Sequence, residues 1–356
     1  MNLDTPAVYK KYDPADVGFG IERLPDQVRC AWHDTRELTM PNSYSLISNL
    51  WVAGMGGSAL GPEMLAAAFS DRLKFPVTIV RDYIFPAAVT SKSLVILASF
   101  SGTTEETLAA AHEALKRKAK IMIICTGGPL AEFAKTHNLP AYIFTPGDLA
   151  KQPRFAGGFL LVGVLGLLER AGLVKIKESE LNSMMSCMGE VIDSCAVDVK
   201  TSDNPAKTIA KAIADRSVII VSSEHLTGNA HILSNSINEN GKQFATNFQL
   251  PELNHHLLEG LTYPKVYSKN SVAVMLRSEL YNARTQKRYD ITADIFEQQG
   301  VSVVEYRAAG ATRLDEVGEV LQFGSYVAWY LAMENKAVTT DIPFVDALKR
   351  RMAKND

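Results

Sequence analysis

The sequence predicts an α/β protein made of two domains, each a mostly parallel sheet flanked by helices. In both halves of the 356-residue chain, short apolar runs alternate with helical patterns. This alternation is typical of parallel sheets covered by helices. Loops rich in glycine, serine and threonine follow two apolar runs of the first half. Because ligands of such sheets bind beyond the carboxyl ends of the strands, these loops are the first candidates for a binding site.

The first half contains five predicted strands with helices between them. The strands are expected at residues 50–53, 77–81, 94–99, 121–125 and 141–144, and the helices at 59–70, 104–118 and 130–137. A strongly apolar segment follows at residues 155–168. With 14 residues, it is shorter than the ~20 residues that a membrane-spanning helix needs. We therefore interpret it as a buried helix.

The second half repeats the alternation without a residue-level repeat. Strands are expected at residues 218–221, 272–276 and 301–306, and helices at 226–244, 282–299, 314–336 and 342–351. Residues 173–201 are charged and helical and contain no strand pattern. We therefore predict an N-terminal segment with a first domain over residues 1–172, a helical connection over 173–201, and a second domain with a C-terminal helix over 202–356.

Composition and charge exclude several classes of function. Hydrophobic residues make up 47% of the chain and charged residues 21%, as in ordinary globular proteins. The net charge of −2 gives no reason to expect nucleic acid or an anionic membrane as a partner. The four cysteines form no CxxC pair, so we expect reduced thiols in a cytoplasmic protein. The N-terminus lacks the basic and apolar pattern of a secretion signal.

The loop at residues 99–107 is the most informative stretch. It places the hydroxyls of Ser99, Ser101, Thr103 and Thr104 around Gly102, between a buried strand and a helix. Free backbone N–H groups and the helix dipole favour an anion at such a helix start. A simple N-cap is the alternative, but a cap needs one hydroxyl rather than four. The pattern therefore favours a phosphate site.

A second loop of this kind follows the first predicted strand. Gly54, Gly56 and Gly57 permit positive φ angles and close backbone approach to a ligand, and Ser58 is expected to cap the next helix. These glycines also partly match a dinucleotide fingerprint, for which Asp82 would be the ribose-binding acid, but an isolated match is weak. The hydroxyl loop instead favours a small phosphorylated ligand held between the two loops.

Three further side chains are candidates for chemistry. Glu239 lies near the end of a predicted helix; on spacing alone, a surface carboxylate paired with Lys242 is the simpler interpretation. His255 lies among polar neighbours before a helix, where a histidine suits proton transfer near neutral pH. Arg154 precedes the apolar helix, a position that a cation does not favour. Stabilisation of an oxyanion would explain the exception.

Several motifs together resemble a known family, the bifunctional phosphoglucose/phosphomannose isomerases of the sugar isomerase (SIS) domain group. The hydroxyl loop alone is typical of any SIS domain, whereas the motifs around Glu239 and His255 are typical of this family. The likeness covers roughly residues 45–350. Its motifs are Gly-Met-Gly-Gly-Ser at residues 54–58, Ser-Phe-Ser-Gly-Thr-Thr-Glu-Glu-Thr at 99–107, Asn-Glu-Asn at 238–240, Pro-Glu-Leu-Asn-His at 251–255, and Ile-Pro and Leu-Lys at 342–343 and 348–349.

The resemblance implies two SIS domains, a homodimer, and neither a metal nor an organic cofactor. The implied substrates are sugar 6-phosphates: glucose 6-phosphate, and mannose 6-phosphate with it, interconverted with fructose 6-phosphate through an enediolate. Five residues that match the family's motifs would hold the substrate phosphate. They are Gly57, Ser58, Ser99, Ser101 and Thr104.

The resemblance also implies four catalytic residues. Glu239 would be the base of the isomerisation, and Arg154 would stabilise the enediolate. His255, supplied by the neighbouring subunit, and Lys349 would open the sugar ring. The chain departs from the family pattern at residues 230–235, which lack the usual basic residues, and at His256, where the family often has Asn.

Two other functions compete with this one. A non-catalytic SIS-domain protein that senses a sugar phosphate and regulates a partner would bind the ligand without converting it. An amidotransferase acting on glucosamine 6-phosphate would need an N-terminal domain with a catalytic cysteine, and the first cysteine here is Cys30. A nucleotide-dependent dehydrogenase fits the hydroxyl loop least well.

Overall fold

The computed structural model describes residues 1–352 and contains two parallel β-sheets. The strands are β1 (Asn49–Gly54), β2 (Val77–Val80), β3 (Ser93–Ser99), β4 (Lys120–Cys125), β5 (Ala141–Ile143), β6 (Ser217–Ser222), β7 (Ala245–Gln249), β8 (Ser271–Ser278) and β9 (Ser302–Ala308). The first sheet has the order β2-β1-β3-β4-β5 and the second β7-β6-β8-β9. The predicted fold class is confirmed, and β1 and β6 hold equivalent places in the two sheets.

Fifteen α-helices flank the sheets in the described residues. They are α1 (Pro6–Tyr12), α2 (Val17–Glu22), α3 (Leu24–Arg36), α4 (Gly57–Ala68), α5 (Glu105–Lys116), α6 (Gly128–Thr136), α7 (Gly157–Arg170), α8 (Glu178–Cys195), α9 (Pro205–Ile213), α10 (Thr227–Glu239), α11 (Leu257–Gly260), α12 (Lys265–Lys269), α13 (Ala283–Gln298), α14 (Arg313–Glu334) and α15 (Pro343–Met352). None of the helices within residues 1–352 has the length and apolar character needed to span a membrane.

The central strands are the most apolar parts of the chain. All seven residues of β3 are buried, and β3 pairs with β1 in a register that places Leu50 beside Leu94. β8 takes the same place in the second sheet, and all eight of its residues are buried. Strands covered on both faces need continuous apolar runs, which is why the sequence predicts them well.

One predicted helix is wrong in its extent. The pattern at residues 226–244 predicts a single helix, but α10 ends at Glu239 and the edge strand β7 follows. The Asn238 amide donates to the carbonyls of Ser234 and Ala245 and accepts from the Ala245 N–H, which closes the turn after α10. Because β7 lies at an edge and is only partly buried, it lacks the apolar run of a central strand.

Helices α1, α2 and α8 contact the long, buried helix α14, whereas α3 packs on α7. The Tyr9 ring of α1 stacks on Trp329 with centroids 5.0 Å apart. The Tyr330 hydroxyl donates to the carbonyl of Cys195, at the end of α8, over 2.6 Å. Both the N-terminal segment and the helical connection therefore contact the second half of the chain. The domain limits of 1–172, 173–201 and 202–356 stay a prediction.

Helices α4 and α10 bring the two sheets together at a close crossing. A Cβ atom on Gly228 of α10 would lie 2.5 Å from the Met64 Cα of α4, so only glycine permits this approach. The two helices run antiparallel, because the start of α10 meets the far end of α4. The end of α10 consequently comes close to the start of α4, where the glycine loop lies.

Candidate active site

A cleft of about 350 Å³ lies between the two domains. This volume falls within the range of small-molecule sites. The wall on the first-domain side is formed by the start of α4 and the turn before α7, and the opposite wall by the last two turns of α10 and by α15. The lining residues are Gly56, Gly57, Leu60, Pro153, Arg154, Gly157, Ile232, Asn235, Ser236, Asn238, Glu239 and Val345.

The glycine loop shapes the floor of this cleft. Gly56 has a φ of 51°, a conformation that glycine adopts without strain. A Cβ atom on Gly57 would lie 3.1 Å from the Pro153 carbonyl oxygen and 3.4 Å from the Arg154 Cα. The small residue at position 57 therefore lets the turn that carries Arg154 approach the start of α4.

Ser58 joins the glycine loop to the hydroxyl loop. The prediction that Ser58 caps the helix is wrong, because Gly56 is the N-cap and Ser58 lies inside the first turn of α4. Its hydroxyl oxygen instead accepts the backbone N–H of Phe100 over 3.0 Å. This bond connects the two loops that follow the adjacent strands β1 and β3.

The hydroxyl loop is held in shape by its own side chains. The buried Ser99 hydroxyl bonds the Thr104 hydroxyl over 2.8 Å and accepts the Gly102 N–H over 3.1 Å. Gly102 has a φ of 68°, and a Cβ atom there would lie 1.8 Å from the Gly127 carbonyl oxygen. Ser101 and Thr103 are exposed and bond each other over 2.7 Å. Two hydroxyls thus fix the loop, and two face solvent.

The start of α5 completes this loop as a place for an anion. Thr104 is the N-cap residue of α5. The first N–H groups of a helix have no intrahelical acceptors, and the helix dipole adds positive potential there. The loop is adjacent to the cleft through Ser58 and Gly57, although Ser99, Ser101 and Thr104 do not line the cleft itself.

Arg154 and Glu239 meet across the cleft. Arg154 lies in a short 3₁₀ turn before α7 with 7% of its side chain exposed. One of its terminal nitrogens donates to the Glu239 carboxylate over 3.1 Å, and the other donates to the Thr340 carbonyl over 2.9 Å. Burial lowers the pKa of Arg154, and the charge of Glu239 opposes that shift. The cleft therefore holds a buried cation beside a carboxylate that is 37% exposed.

Lys242 supports this pair without neutralising the carboxylate. The local pairing of Glu239 with Lys242 does not form, because the Lys242 amine donates to the backbone carbonyl of Glu239 rather than to its side chain. The amine also donates to the Thr339 carbonyl over 3.2 Å. Burial and the charge of Arg154 lower the pKa of Lys242. Lys242 thus ties the end of α10 to the segment that leads into α15.

Lys349 lies on α15, which forms one rim of the cleft. Val345 of this helix lines the cleft, and Lys349 follows it by four residues. Residues four apart share a helix face. Lys349 is exposed, and this spacing places it on the same face of α15 as Val345, one turn further along, although it does not line the cleft.

His255 lies far from Glu239 within one chain. Glu239 ends α10 beside the amino end of β7, whereas His255 belongs to the turn that follows the carboxyl end of β7. The five residues of β7 span about 16 Å at roughly 3.3 Å per residue. His255 and His256 are both exposed. The structure thus brings Gly57, Arg154 and Glu239 together and leaves His255 outside the cleft.

Some cleft residues were not predicted from the sequence. The Arg154 guanidinium donates to the carbonyls of residues 339 and 340. Such contacts to the backbone cannot be predicted from a side-chain motif. Ile232, Asn235 and Ser236 line the cleft on the same helix face as Glu239. Their spacing of seven, four and three residues from Glu239 is a helical pattern that could have identified them.

Two family descriptions match the two halves of the chain. "Bacterial phospho-glucose isomerase C-terminal SIS domain" matches residues 202–352, and "SIS domain" matches residues 47–142. A hypothetical protein of Thermus thermophilus has a similar fold, with a TM-score of 0.72 and 18% identity over 98% of this chain and 93% of the other. That structure supports the fold alone.

Relatives of known designation match nearly the whole chain. A bifunctional phosphoglucose/phosphomannose isomerase of Caldicellulosiruptor bescii is 30% identical over 94% of this chain and 98% of its own length. A protein of the same designation from Thermoplasma acidophilum is 29% identical over 86% of this chain and 90% of its own length. The chain belongs to the family of bifunctional phosphoglucose/phosphomannose isomerases.

Proposed function

We propose that this chain interconverts glucose 6-phosphate and mannose 6-phosphate with fructose 6-phosphate. The observation that carries the proposal is the Arg154–Glu239 pair in a cleft next to two loops suited to phosphate. The family relationship supports the same reaction. A carboxylate that moves a proton and a cation that balances the resulting negative charge are what an enediolate mechanism requires.

The phosphate group would bind where the two loops meet. Ser101 is exposed, so its hydroxyl can donate to a phosphate oxygen. Ser99 and Thr104 bond each other and hold the loop around the start of α5. Gly57 and Ser58 extend this region to the cleft floor. Binding energy gained at the phosphate would position C1 and C2 of the open-chain sugar in the cleft.

Glu239 would transfer the proton between C1 and C2. Its carboxylate removes the C2 proton of the aldose, giving an enediolate, and returns a proton to C1 to form the ketose. The Arg154 guanidinium, already 3.1 Å from this carboxylate, would balance the negative charge on the enediolate oxygens. The enediolate has no stereocentre at C2, so glucose and mannose 6-phosphate pass through the same intermediate.

Ring opening would require a second copy of the chain. His255 follows the far end of β7, so the copy that supplies Glu239 does not supply His255 to the same cleft. We therefore propose a cytoplasmic homodimer in which His255 of the partner subunit completes each site. Lys349, on the same face of α15 as Val345, would assist the ring-opening step.

A coupled assay tests the proposed reaction directly. The purified chain should convert both glucose 6-phosphate and mannose 6-phosphate into fructose 6-phosphate, and addition of a chelator should leave both rates unchanged. Binding of fructose 6-phosphate without any turnover would contradict the proposal and would fit a sensor instead. Loss of activity with the chelator would contradict the mechanism without a metal.

Subunit mixing tests the shared site. Glu239→Gln and His255→Ala dimers should each be poorly active, but exchange of their subunits should restore activity. Each mixed dimer contains one site with both residues intact and one site with neither. Subunit exchange that is verified by mass spectrometry but restores no activity would place His255 outside the shared site. His255→Ala should also lose more activity on the closed ring than on the open-chain sugar.

A further inference from the structure

Asn235 occupies a position in the cleft that its contacts within the protein do not explain. It lies in α10 one turn before Glu239, so the two side chains share a face, with about 5–6 Å between their Cβ atoms. Asn235 lines the cleft and is half-buried. Its amide makes no hydrogen bond to any other group within residues 1–352.

Asn238, on the same helix, is an asparagine with a structural role. The Asn238 side chain makes three hydrogen bonds, all to the backbone. Its amide donates to the carbonyls of Ser234 and Ala245 and accepts from the Ala245 N–H. Asparagine is a poor helix former because its side chain competes with the helical backbone. Asn235 carries that cost without such compensation.

The surroundings of Asn235 favour recognition of a hydroxyl. Leu60 and Ile232 are buried apolar residues that line the same part of the cleft. A neutral amide beside apolar groups, able both to donate and to accept, is typical of the polar groups that orient a ligand. Glu239 and Arg154, next to it, serve the reacting carbons in the proposed function.

We propose that the Asn235 amide binds a hydroxyl of the sugar carbon chain beyond C2, on C3 or C4. This inference rests on the proposed function, which places C1 and C2 at Glu239 and the phosphate at the hydroxyl loop. In that placement, the hydroxyls between those two ends would face the α10 wall of the cleft, where Asn235 lies. Asn235 is therefore a substrate-binding residue that helps select a hexose phosphate.

Substrate analogues provide the test. Asn235→Ala should raise KM for glucose 6-phosphate about twofold to tenfold, as expected for one neutral hydrogen bond, and change kcat less. With 3-deoxy- and 4-deoxyglucose 6-phosphate, the wild-type chain should lose efficiency on one of the two, whereas Asn235→Ala should no longer discriminate against that analogue. A variant that keeps the full wild-type discrimination against both analogues would overturn the inference.

Two controls separate this role from other causes. Asn235→Ala should not lower the melting temperature, whereas Asn238→Ala should lower it, because only Asn238 bonds the backbone. If the wild-type chain does not isomerise, the proposed function fails, and the inference is then tested by calorimetry. Asn235→Ala in the Glu239→Gln background should weaken fructose 6-phosphate binding about twofold to tenfold, and unchanged binding would overturn the inference.

Discussion

The two sheets have the same strand order at their centres, but the crevices at their carboxyl ends differ. In the first sheet, the loops after β1 and β3 leave the exposed hydroxyls of Ser101 and Thr103 at the start of α5. In the second sheet, the loop after β6 supplies a carboxylate to the helix start that follows β8. The Glu224 carboxylate accepts the Asn282 N–H over 3.0 Å and its side-chain amide over 2.7 Å, at the start of α13.

The second crevice contains further pairs of this kind. Asn282 caps α13 by accepting the N–H groups of Arg284 and Thr285. His225, after β6, bonds the buried Glu316 over 2.5 Å. The start of α13 is thus occupied by a carboxylate of the protein itself, the Glu224 side chain. At the equivalent place in the first domain, the start of α5 has room for a phosphate. A parallel sheet provides a crevice at its carboxyl end, but polar groups that are left unpaired turn it into a ligand site.

The cleft also uses opposite ends of the two sheets. It lies at the carboxyl end of β1, where the glycine loop begins, but beside the amino end of β7, where α10 ends. The second domain therefore contributes the end of a helix to the site rather than its own crevice. If the cleft and the second crevice differ in this way, matched substitutions in the two places will affect different properties of the protein.

The largest effect is expected from the same substitution at two glutamates. Glu239→Gln keeps the size of the side chain but removes the proposed base, so kcat should fall by ~10²–10⁴-fold. Glu224→Gln in the second crevice should leave kcat within about twofold of the wild type, because Glu224 contacts Asn282 rather than the cleft. The coupled assay measures both.

Binding measurements make this comparison sharper. Fructose 6-phosphate should still bind to Glu239→Gln, because the phosphate loops are intact in that variant. Near-normal turnover by Glu239→Gln would remove the proposed mechanism. A large loss of kcat in Glu224→Gln would show that the second crevice takes part in catalysis.

The second effect concerns stability rather than activity. His225 and Glu316 are both fully buried, with side-chain exposures of 0% and 1%. His225→Ala leaves the Glu316 carboxylate buried without its partner, and we expect the free energy of unfolding to fall by about 3–5 kcal/mol. Urea unfolding measures this change, and kcat at 25 °C should remain close to that of the wild type.

A double variant tests the physical reason for that loss. Replacement of both partners by leucine, His225→Leu with Glu316→Leu, should recover much of the lost stability, because no unpaired buried charge remains. If the double variant is as unstable as His225→Ala, packing rather than the unpaired carboxylate explains the loss.

The third effect concerns the hydroxyls of the two crevices. Ser101→Ala removes the hydroxyl that donates to the phosphate in the proposed function, where a charge-assisted hydrogen bond contributes roughly 1.5–3 kcal/mol. Thr104→Ala removes the hydroxyl that bonds Ser99 and holds the loop around the phosphate site. Each substitution should weaken binding of sugar phosphates and of inorganic phosphate by about 10- to 100-fold. Ser278→Ala, at the end of β8, should leave this binding unchanged. Calorimetry that finds parental affinity in both loop variants would place the phosphate elsewhere.

Features that depend on local sequence were predictable, and those that depend on distant contacts were not. The apolar run of β3 is sufficient to predict a buried strand, and the hydroxyls that follow it are sufficient to predict a polar loop. The edge strand β7 carries no such run and was not predicted, and the predicted helix ran past the end of α10 up to the residue before β7. Ser58 looks like a cap in sequence, but its hydroxyl bonds Phe100, 42 residues away.

The candidate site shows the same limit. Arg154 and Glu239 are 85 residues apart, and only the resemblance to a family, not their spacing, suggested that they act together. Arg154 is also held by the Thr340 carbonyl, and because every residue has a backbone carbonyl, the sequence does not indicate this contact. The distance of His255 from the cleft follows from the direction of β7, which the sequence pattern did not identify.

The smallest effect comes from a second histidine–glutamate pair, which differs from the first in exposure. His231 bonds the Glu63 carboxylate over 2.9 Å across the α4–α10 crossing, and both side chains are 27% exposed. Burial raises the pKa of Glu63, but the hydrogen bond and charge of His231 and the charge of Arg81 outweigh it. The net pKa of Glu63 is therefore lowered from the ordinary value of 4.5.

A lowered carboxylate pKa fixes the pH range in which Glu63 stabilises the fold. Its contribution is fully present above the ordinary value of 4.5 and is lost as the pH falls through the lower, folded value. Glu63→Gln should therefore cost at most about 1 kcal/mol at pH 7, because a partly exposed pair contributes little. Its unfolding free energy should converge with that of the wild type as the pH is lowered below 4.5. A difference that persists undiminished in acid would show that the Glu63 charge is not its cause. If Glu63→Gln lowers the free energy of unfolding at pH 7 as much as His225→Ala does, the difference in exposure does not explain how much each pair stabilises the fold.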